Sequence, residues 1–203
     1  MTRHIAGLAV AVVVFLSTTT VVAAQGQGAT ERDRRFLFEL GVGPGFVAVA
    51  DEYRDLADTG DADDAMRLPL NVRLGLGYAV LPGVYVTLVA DSTSDVSLDL
   101  FGGSVVQASL YGVGVRVYPG ETGFTFGGHG GIALVQAGTE STLPAGTSDS
   151  ISDVGFGIGG IAGYDFGRRR SGFSLLVAAT ANLGIAGGEP FGTVGLTASA
   201  LWK

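Results

Sequence analysis

Cysteine is absent from the 203 residues, and charged residues are scarce. Without cysteine the chain cannot form a disulfide, a zinc–thiolate site or a cysteine nucleophile. Charged residues make up 15% of the sequence, against about 25% in soluble domains. Acidic residues outnumber basic ones 19 to 12, which argues against nucleic acid as a partner.

Glycine and apolar residues are abundant instead. The chain has 34 glycines, 47% of its residues are apolar, and the mean hydropathy is +0.42. Disordered segments have low hydrophobicity, so this composition predicts a folded chain in apolar surroundings. Beyond residue 24 no apolar run is long enough to span a membrane as a helix.

The first 24 residues have the pattern of a cleaved secretory signal peptide. Basic Arg3 precedes an apolar run at 5–16, and small residues at 22–24 suit cleavage after Ala24. The alternative is a membrane anchor, but polar residues at 17–20 end the run before the roughly 20 residues that a spanning helix needs. The expected division is a signal peptide at 1–24, a short lead at 25–34 and one β-domain at 35–203.

Apolar residues alternate with other residues along the rest of the chain, most clearly at 67–78. A period of two predicts strands, and turn signals separate the alternating segments. Eight strands are predicted, at 35–50, 67–80, 84–93, 105–118, 124–137, 153–166, 173–184 and 191–202.

Short and long connections alternate between these strands. The segments 81–83, 119–123 and 167–172 are short, whereas 51–66, 94–104 and 138–152 are long, and only 185–190 breaks the rule. This alternation is typical of outer-membrane barrels. The sequence therefore predicts an all-β fold, an eight-stranded antiparallel up-and-down transmembrane β-barrel with both termini periplasmic.

A soluble lipocalin-like barrel or a β-sandwich would show the same alternation. A water-facing surface would carry many charges, yet the less apolar face is mostly glycine, which suits a narrow barrel interior. Aromatic residues of the apolar face also gather at the short-turn end, as at a membrane interface. They are Phe36, Phe38, Tyr78, Phe124, Phe126, Tyr164, Phe166, Phe173 and Trp202.

With these features the chain resembles the small eight-stranded outer-membrane barrels, the group of the OmpA transmembrane domain and OmpX. The segment 193–202, with Gly195 and Trp202, resembles the C-terminal assembly signal of that group, except that Lys203 follows the aromatic residue. The resemblance implies outer-membrane lipid, lipopolysaccharide and the barrel-assembly machinery as partners, a monomer, and no cofactor.

An open sheet edge is excluded in lipid, so the first strand must pair with the last. Pro44 cannot donate a ladder hydrogen bond, and we expect a bulge or bend there. Pro69 raises the same problem near the rim.

Charged residues on the inward face form a candidate functional network. A turn at 81–83 would set Val80 opposite Val84 and therefore Arg73 opposite Asp91, within reach of an ion pair. Glu39, Arg116 and Asp165 would form a second cluster nearer the short turns. The network either plugs the lumen or acts as a gate by exchanging partners. Its five members are Glu39, Arg73, Asp91, Arg116 and Asp165.

Two further features remain as candidates. His129 projects inward and is either a hydrogen-bonded lumen residue or a catalyst, although no serine or acidic partner lies at matching height. The first long connection is acidic, and it is either a solvated loop or a weak divalent-cation site at the lipopolysaccharide surface. The residues of that possible site are Asp58, Asp61, Asp63 and Asp64.

The leading functional prediction is a non-enzymatic outer-membrane barrel that stabilises the envelope or presents loops to the outside. One alternative is a narrow pore or conduit for small or hydrophobic molecules, since inward glycines leave space. Another is a lipid-modifying outer-membrane enzyme.

The signal-peptide assignment predicts that the exported protein begins at Gln25. Intact mass spectrometry of the native protein should show the loss of residues 1–24, with or without cyclisation of Gln25. A mass that retains Met1–Ala24 would contradict the assignment.

Overall fold

The computed structural model describes residues 36–57, 66–99, 102–141, 150–167 and 172–203. The predicted signal peptide and lead lie outside these residues. Within the described ranges no helix is long and apolar enough to cross a membrane. The elements in chain order are β1 Phe36–Gly43, β2 Gly45–Ala48, α1 Asp51–Ala57, β3 Met66–Leu81, β4 Val84–Asp99, β5 Gly102–Val117, β6 Phe124–Ser141, β7 Ser150–Asp165, β8 Phe173–Ala186 and β9 Glu189–Trp202.

The strands form one closed antiparallel sheet. From β3 to β9 each strand pairs with the next, β1 pairs with both β3 and β9, and β2 pairs with β9. Because β1 and β2 are one strand interrupted at Pro44, the ring has eight strands. The predicted fold class and the pairing of the first strand with the last are confirmed, whereas the side on which the termini lie stays a prediction.

The register of the ring fixes its width. A row of paired residues starts at Phe36, passes to Tyr78 in β3, and returns around the sheet to Phe46, ten residues further along. With eight strands, this shear inclines the strands by about 40° to the barrel axis. A barrel of this size has an interior just wide enough for side chains to fill.

The outward face is apolar, as the alternation predicts. Large apolar side chains such as Leu88 and Val113 are more than half exposed. All nine aromatic residues of the predicted belt point outward: eight are exposed and Phe126 is half-buried. We call the end that carries this belt the turn end, since the connections after β3, β5 and β7 lie there, and the opposite end the loop end.

Seven strands, β3 to β9, extend further at the loop end than the sequence predicts, by one to six residues. The expected connection 94–104 is mostly strand, since β4 runs to Asp99 and β5 begins at Gly102. The pairing of β7 with β8 stops at Gly155, and that of β1 with β3 stops at Asn71. The β3–β7 sheet therefore projects beyond the closed ring.

Pro44 does not cause a bulge against β9. Val42 pairs with Ala198 and Gly45 with Gly195, so the register is the same on both sides of the proline. The carbonyl oxygen of Pro44 accepts a hydrogen bond from the Leu196 N–H at 2.9 Å, which needs no donor from proline. The predicted bend is present, because beyond Gly43 the chain stays with β9 and leaves β3.

A bulge lies instead beside the first tight turn. The register shifts between Ala79 and Leu81, so Leu81 rather than Val80 faces Val84. Val80 and Leu81 are both exposed, which is the signature of one extra residue on the outward side. Pro69 lies in the projecting part of β3, beyond its pairing with β1, where a strand edge tolerates proline.

Inward glycines are required by close strand contacts. A Cβ at Gly131 would lie 2.0 Å from the Tyr111 carbonyl oxygen, whereas a Cβ at the neighbouring Gly130 would find its nearest atom at 3.6 Å. Of these two adjacent positions, only Gly131 therefore excludes a methyl group.

We predict that Gly131→Ala lowers the free energy of unfolding by at least about 1–3 kcal/mol, the usual cost of overpacking. Gly130→Ala is the matched control and should change it little. Urea unfolding of both variants in detergent micelles measures the difference, and equal effects at the two positions would contradict the packing described.

Candidate functional site

The barrel interior is arranged in three layers along its axis. At the turn end an apolar cluster contains Leu37, Tyr85, Tyr118 and Leu201. Charged and polar residues fill the middle. At the loop end a second apolar cluster contains Leu110, Ala133, Val135, Phe191 and, from α1, Tyr53. The sequence predicts the charged layer but not the two apolar ones.

The middle layer contains the predicted ion pair. Arg73 and Asp91 are directly opposed in the register, and Arg73 Nη1 donates to Asp91 Oδ2 at 2.6 Å. The Glu39 carboxylate approaches Arg73 Nε at 3.5 Å and also pairs with Arg116. Asp91, Arg73, Glu39 and Arg116 therefore form one chain of alternating charge. All four are at most 2% exposed.

Neutral polar groups complete this chain. Asn71 Nδ2 donates to Asp91 Oδ1 at 2.9 Å, and Ser199 Oγ donates to Glu39 Oε1 at 3.1 Å. Glycines leave the space that these side chains occupy: a Cβ at Gly75 would lie 3.0 Å from Glu39 Oε2, and one at Gly41 would lie 2.2 Å from Ser199 Oγ. The alternation of glycine with long polar residues is thus a packing requirement of the network.

Asp165 does not join Glu39 and Arg116, contrary to the prediction. It pairs with Lys203, whose ammonium group also lies 5.6 Å from the centre of the Tyr118 ring. The reason is the strand alternation: Trp202 points outward, so Lys203 points inward at the turn end. This buried ion pair closes the turn end of the lumen below the charged layer.

His129 lies in the barrel wall and is buried, as predicted. A Cβ on the paired Gly159 would lie 2.6 Å from His129 Nε2 and 1.9 Å from Asn182 Oδ1, so histidine and amide share the space that this glycine leaves. Asn182 in turn donates to Thr193 Oγ1 at 3.0 Å. These neighbours support the interpretation of His129 as a lumen residue.

The loop end is closed by α1. This helix has acidic residues in its first turn and Arg54 in its last, the arrangement that the helix dipole favours. Tyr53 of this helix is buried, at 2% exposure, and its hydroxyl donates to Asp153 Oδ2 at 2.8 Å. Burial, followed by the hydrogen bond to Asp153, raises the pKa of Tyr53 above its ordinary value of 10.0.

The other predicted site residues are placed as follows. Asp58, Asp61, Asp63 and Asp64 lie outside the described residues, so their cation binding stays a prediction. In the part of the chain that the structure describes, no group of three or more potential metal ligands occurs. Gly195 packs inward, where a Cβ would lie 2.9 Å from Asn71 Cγ, and Trp202 is 63% exposed on the outward face. Their role in assembly stays a prediction.

Comparison with solved structures identifies the fold. Ail, the attachment invasion locus protein of Yersinia pestis, in complex with the heparin analogue sucrose octasulfate, matches with TM-score 0.57 and 15% identity over 83% of this chain and 99% of Ail. A second Ail structure matches with TM-score 0.54, 15% identity and the same coverage. This chain has the fold of the small eight-stranded outer-membrane barrels.

Neisserial surface protein A aligns with TM-score 0.48 and 12% identity, over 87% of this chain and 99% of that protein. No protein-family model and no curated protein sequence matches the chain. At such low identity the comparisons establish the architecture and leave the ligand and partner to be argued from the residues.

Sequence reasoning missed the two apolar layers, with Tyr53 among their residues, and two polar partners of the charged chain, Asn71 and Ser199. Asn71 and Ser199 occupy inward positions of β3 and β9. The strand alternation that predicts an inward Arg73 also predicts inward side chains at these two positions. Tyr53 gives a weaker signal, since it is a single aromatic residue in an acidic connection, and no strand periodicity extends to it.

The Arg73–Asp91 pair should be energetically coupled, since both groups are buried. Removing either partner, as in Arg73→Met or Asp91→Leu, should lower the free energy of unfolding by about 3–5 kcal/mol because the other charge is left uncompensated. In the double variant the loss should be much smaller than the sum. Urea unfolding in detergent measures this cycle, and additive effects would show that the pair contributes no coupling.

Proposed function

We propose that the protein is a non-enzymatic barrel of the bacterial outer membrane, with a closed lumen, that presents its loop end to the outside. The observation that carries the proposal is the combination of an apolar outward face with an interior filled by three layers of side chains. The apolar face has an aromatic belt at the turn end, which suits the headgroup level of a bilayer. Orientation with the turn end toward the periplasm follows the usual placement of short turns.

The elements presented at the loop end are α1 and the projecting β3–β7 sheet. Asp51, Glu52 and Asp55 of α1 are exposed there, and the sequence between β2 and β3 adds four further aspartates. An acidic surface favours divalent cations or basic partners. Although Ail has been solved with sucrose octasulfate, a polyanion of this kind does not suit the acidic loop end of this chain.

The pore alternative is opposed by the packing of the lumen. The four charged residues of the middle layer neutralise one another, and apolar side chains close the interior above and below them. The enzyme alternative is opposed by the surroundings of His129: Gly159 and Asn182 lie against its ring, and the carboxylate that acts on it electrostatically, Asp91, is paired with Arg73. The pore alternative remains an outcome of the conductance experiment below.

Location and exposure can be tested together. We expect the protein to fractionate with the outer membrane and to migrate differently on an SDS gel before and after boiling, as folded barrels do. Trypsin added to whole cells should reach the loop end but not the turn end. Recovery in the soluble periplasm without a heat-dependent shift would contradict the proposal.

The closed lumen predicts that the purified protein does not conduct ions. Wild-type protein in a planar bilayer should give no unitary current steps. Arg116→Ala should give none either, because the apolar layers close both ends independently of the charge network. Reproducible steps from the wild-type barrel would favour the pore alternative.

A further inference from the structure

The loop-end cluster is unusual for the inside of a membrane barrel, which is ordinarily polar. Its walls come from β2, β5, β6, β8 and β9, and four of its buried residues are alanines. We call the space between them the mouth site, defined by Ala108, Ala133, Val135, Ala186 and Phe191, all buried in one cluster. Small apolar walls around an interior space favour a flat apolar group as occupant.

Tyr53 is the group that fills the mouth site. Its ring belongs to the same buried cluster, while the neighbouring residues of α1, Asp51, Glu52, Arg54 and Asp55, are exposed. The ring of Tyr53 and its hydroxyl hydrogen bond to Asp153 hold this face of the helix in the mouth, together with the Arg54 hydrogen bond to the Val47 carbonyl oxygen. Tyr53 occupies the site in the manner of a tethered ligand.

The charges around the ring define which external ligand would fit. Asp153 accepts the hydrogen bond from Tyr53, and Glu52 and Glu189 also act electrostatically on that hydroxyl. The nearby cation of α1, Arg54, is directed to the Val47 carbonyl oxygen at 3.3 Å. A positively charged donor would therefore be favoured over a neutral hydroxyl at the position that the tyrosine oxygen occupies.

We propose that the mouth site binds an external aromatic amine, with its ring in place of the Tyr53 ring and its ammonium group on Asp153. The ligand competes with Tyr53, so binding displaces α1 from the mouth. Because the side chain is tethered at high effective concentration, the wild-type protein binds weakly and removal of the tyrosine ring strengthens binding. The proposal depends on the proposed function in one respect only: the loop end must face the outside of the cell for an external ligand to reach the mouth site.

The test uses the barrel folded in detergent, with tyramine as the cationic probe and p-cresol as its neutral analogue. Isothermal titration calorimetry should show that Tyr53→Ala binds tyramine at least about tenfold more tightly than the wild type does. Adding Asp153→Asn should weaken tyramine binding about tenfold and change p-cresol binding less than twofold. Tyr111→Ala, which removes an exposed aromatic ring from the outward face, is the matched control and should behave like wild type.

A second measurement needs no variant. Displacement of Tyr53 should expose the bond after Arg54, so tyramine should accelerate tryptic cleavage there in the wild-type barrel. If tyramine neither binds Tyr53→Ala more tightly than wild type nor changes the cleavage rate, the proposal is wrong. Since the assays use detergent-folded protein, this failure would leave the proposed membrane location untouched.

Discussion

Closure of the eight-stranded ring is the constraint on which the rest of the structure depends. In lipid an unpaired strand edge is excluded, so β1 and β2 must complete the ladder of β9 even across Pro44. Closure with a shear of ten then sets a narrow interior. Each inward residue has to fit a space already limited by the opposite wall, and glycine is frequent on that face for this reason.

The narrow interior also explains why charges occur there as a connected chain. An isolated buried charge is costly, and a pair is tolerated only with good geometry and further hydrogen bonds. Glu39 meets this condition by joining Arg73 to Arg116 and by accepting from Ser199. All four charged residues are at most 2% exposed, so they depend on one another rather than on bulk solvent.

The fold and much of the interior could be predicted from the sequence, because a strand ladder converts residue number into position. Counting from the tight turn predicts Arg73 opposite Asp91, and the bulge at Ala79–Leu81 leaves that count intact because it affects only the last pair before the turn. The prediction for Asp165 is wrong because it does not extend the same alternation to Lys203, which is the partner of Asp165 in the lumen.

Residues outside the ladder could not be placed by counting. Tyr53 reaches the mouth through a helix that follows the bend after Pro44, and neither period nor charge in the sequence indicates where such a helix docks. The sequence predicts connections at the ends of β4 to β7 because polar residues and glycines at 92–95, 102–104, 138–141 and 150–152 interrupt the apolar alternation on which the strand prediction depends.

Spin labelling can measure whether the apolar face of the ring contacts lipid while α1 meets water. Because the chain has no cysteine, a single spin label can be placed at Leu88→Cys or Val113→Cys on the outward face, or at Asp51→Cys on α1, in protein reconstituted into liposomes. Collisions with oxygen, which concentrates in lipid, should dominate at the first two positions, and collisions with a water-soluble nickel complex should dominate at the third. Dominant collisions with the nickel complex at Leu88 and Val113 would contradict the contact of this face with lipid.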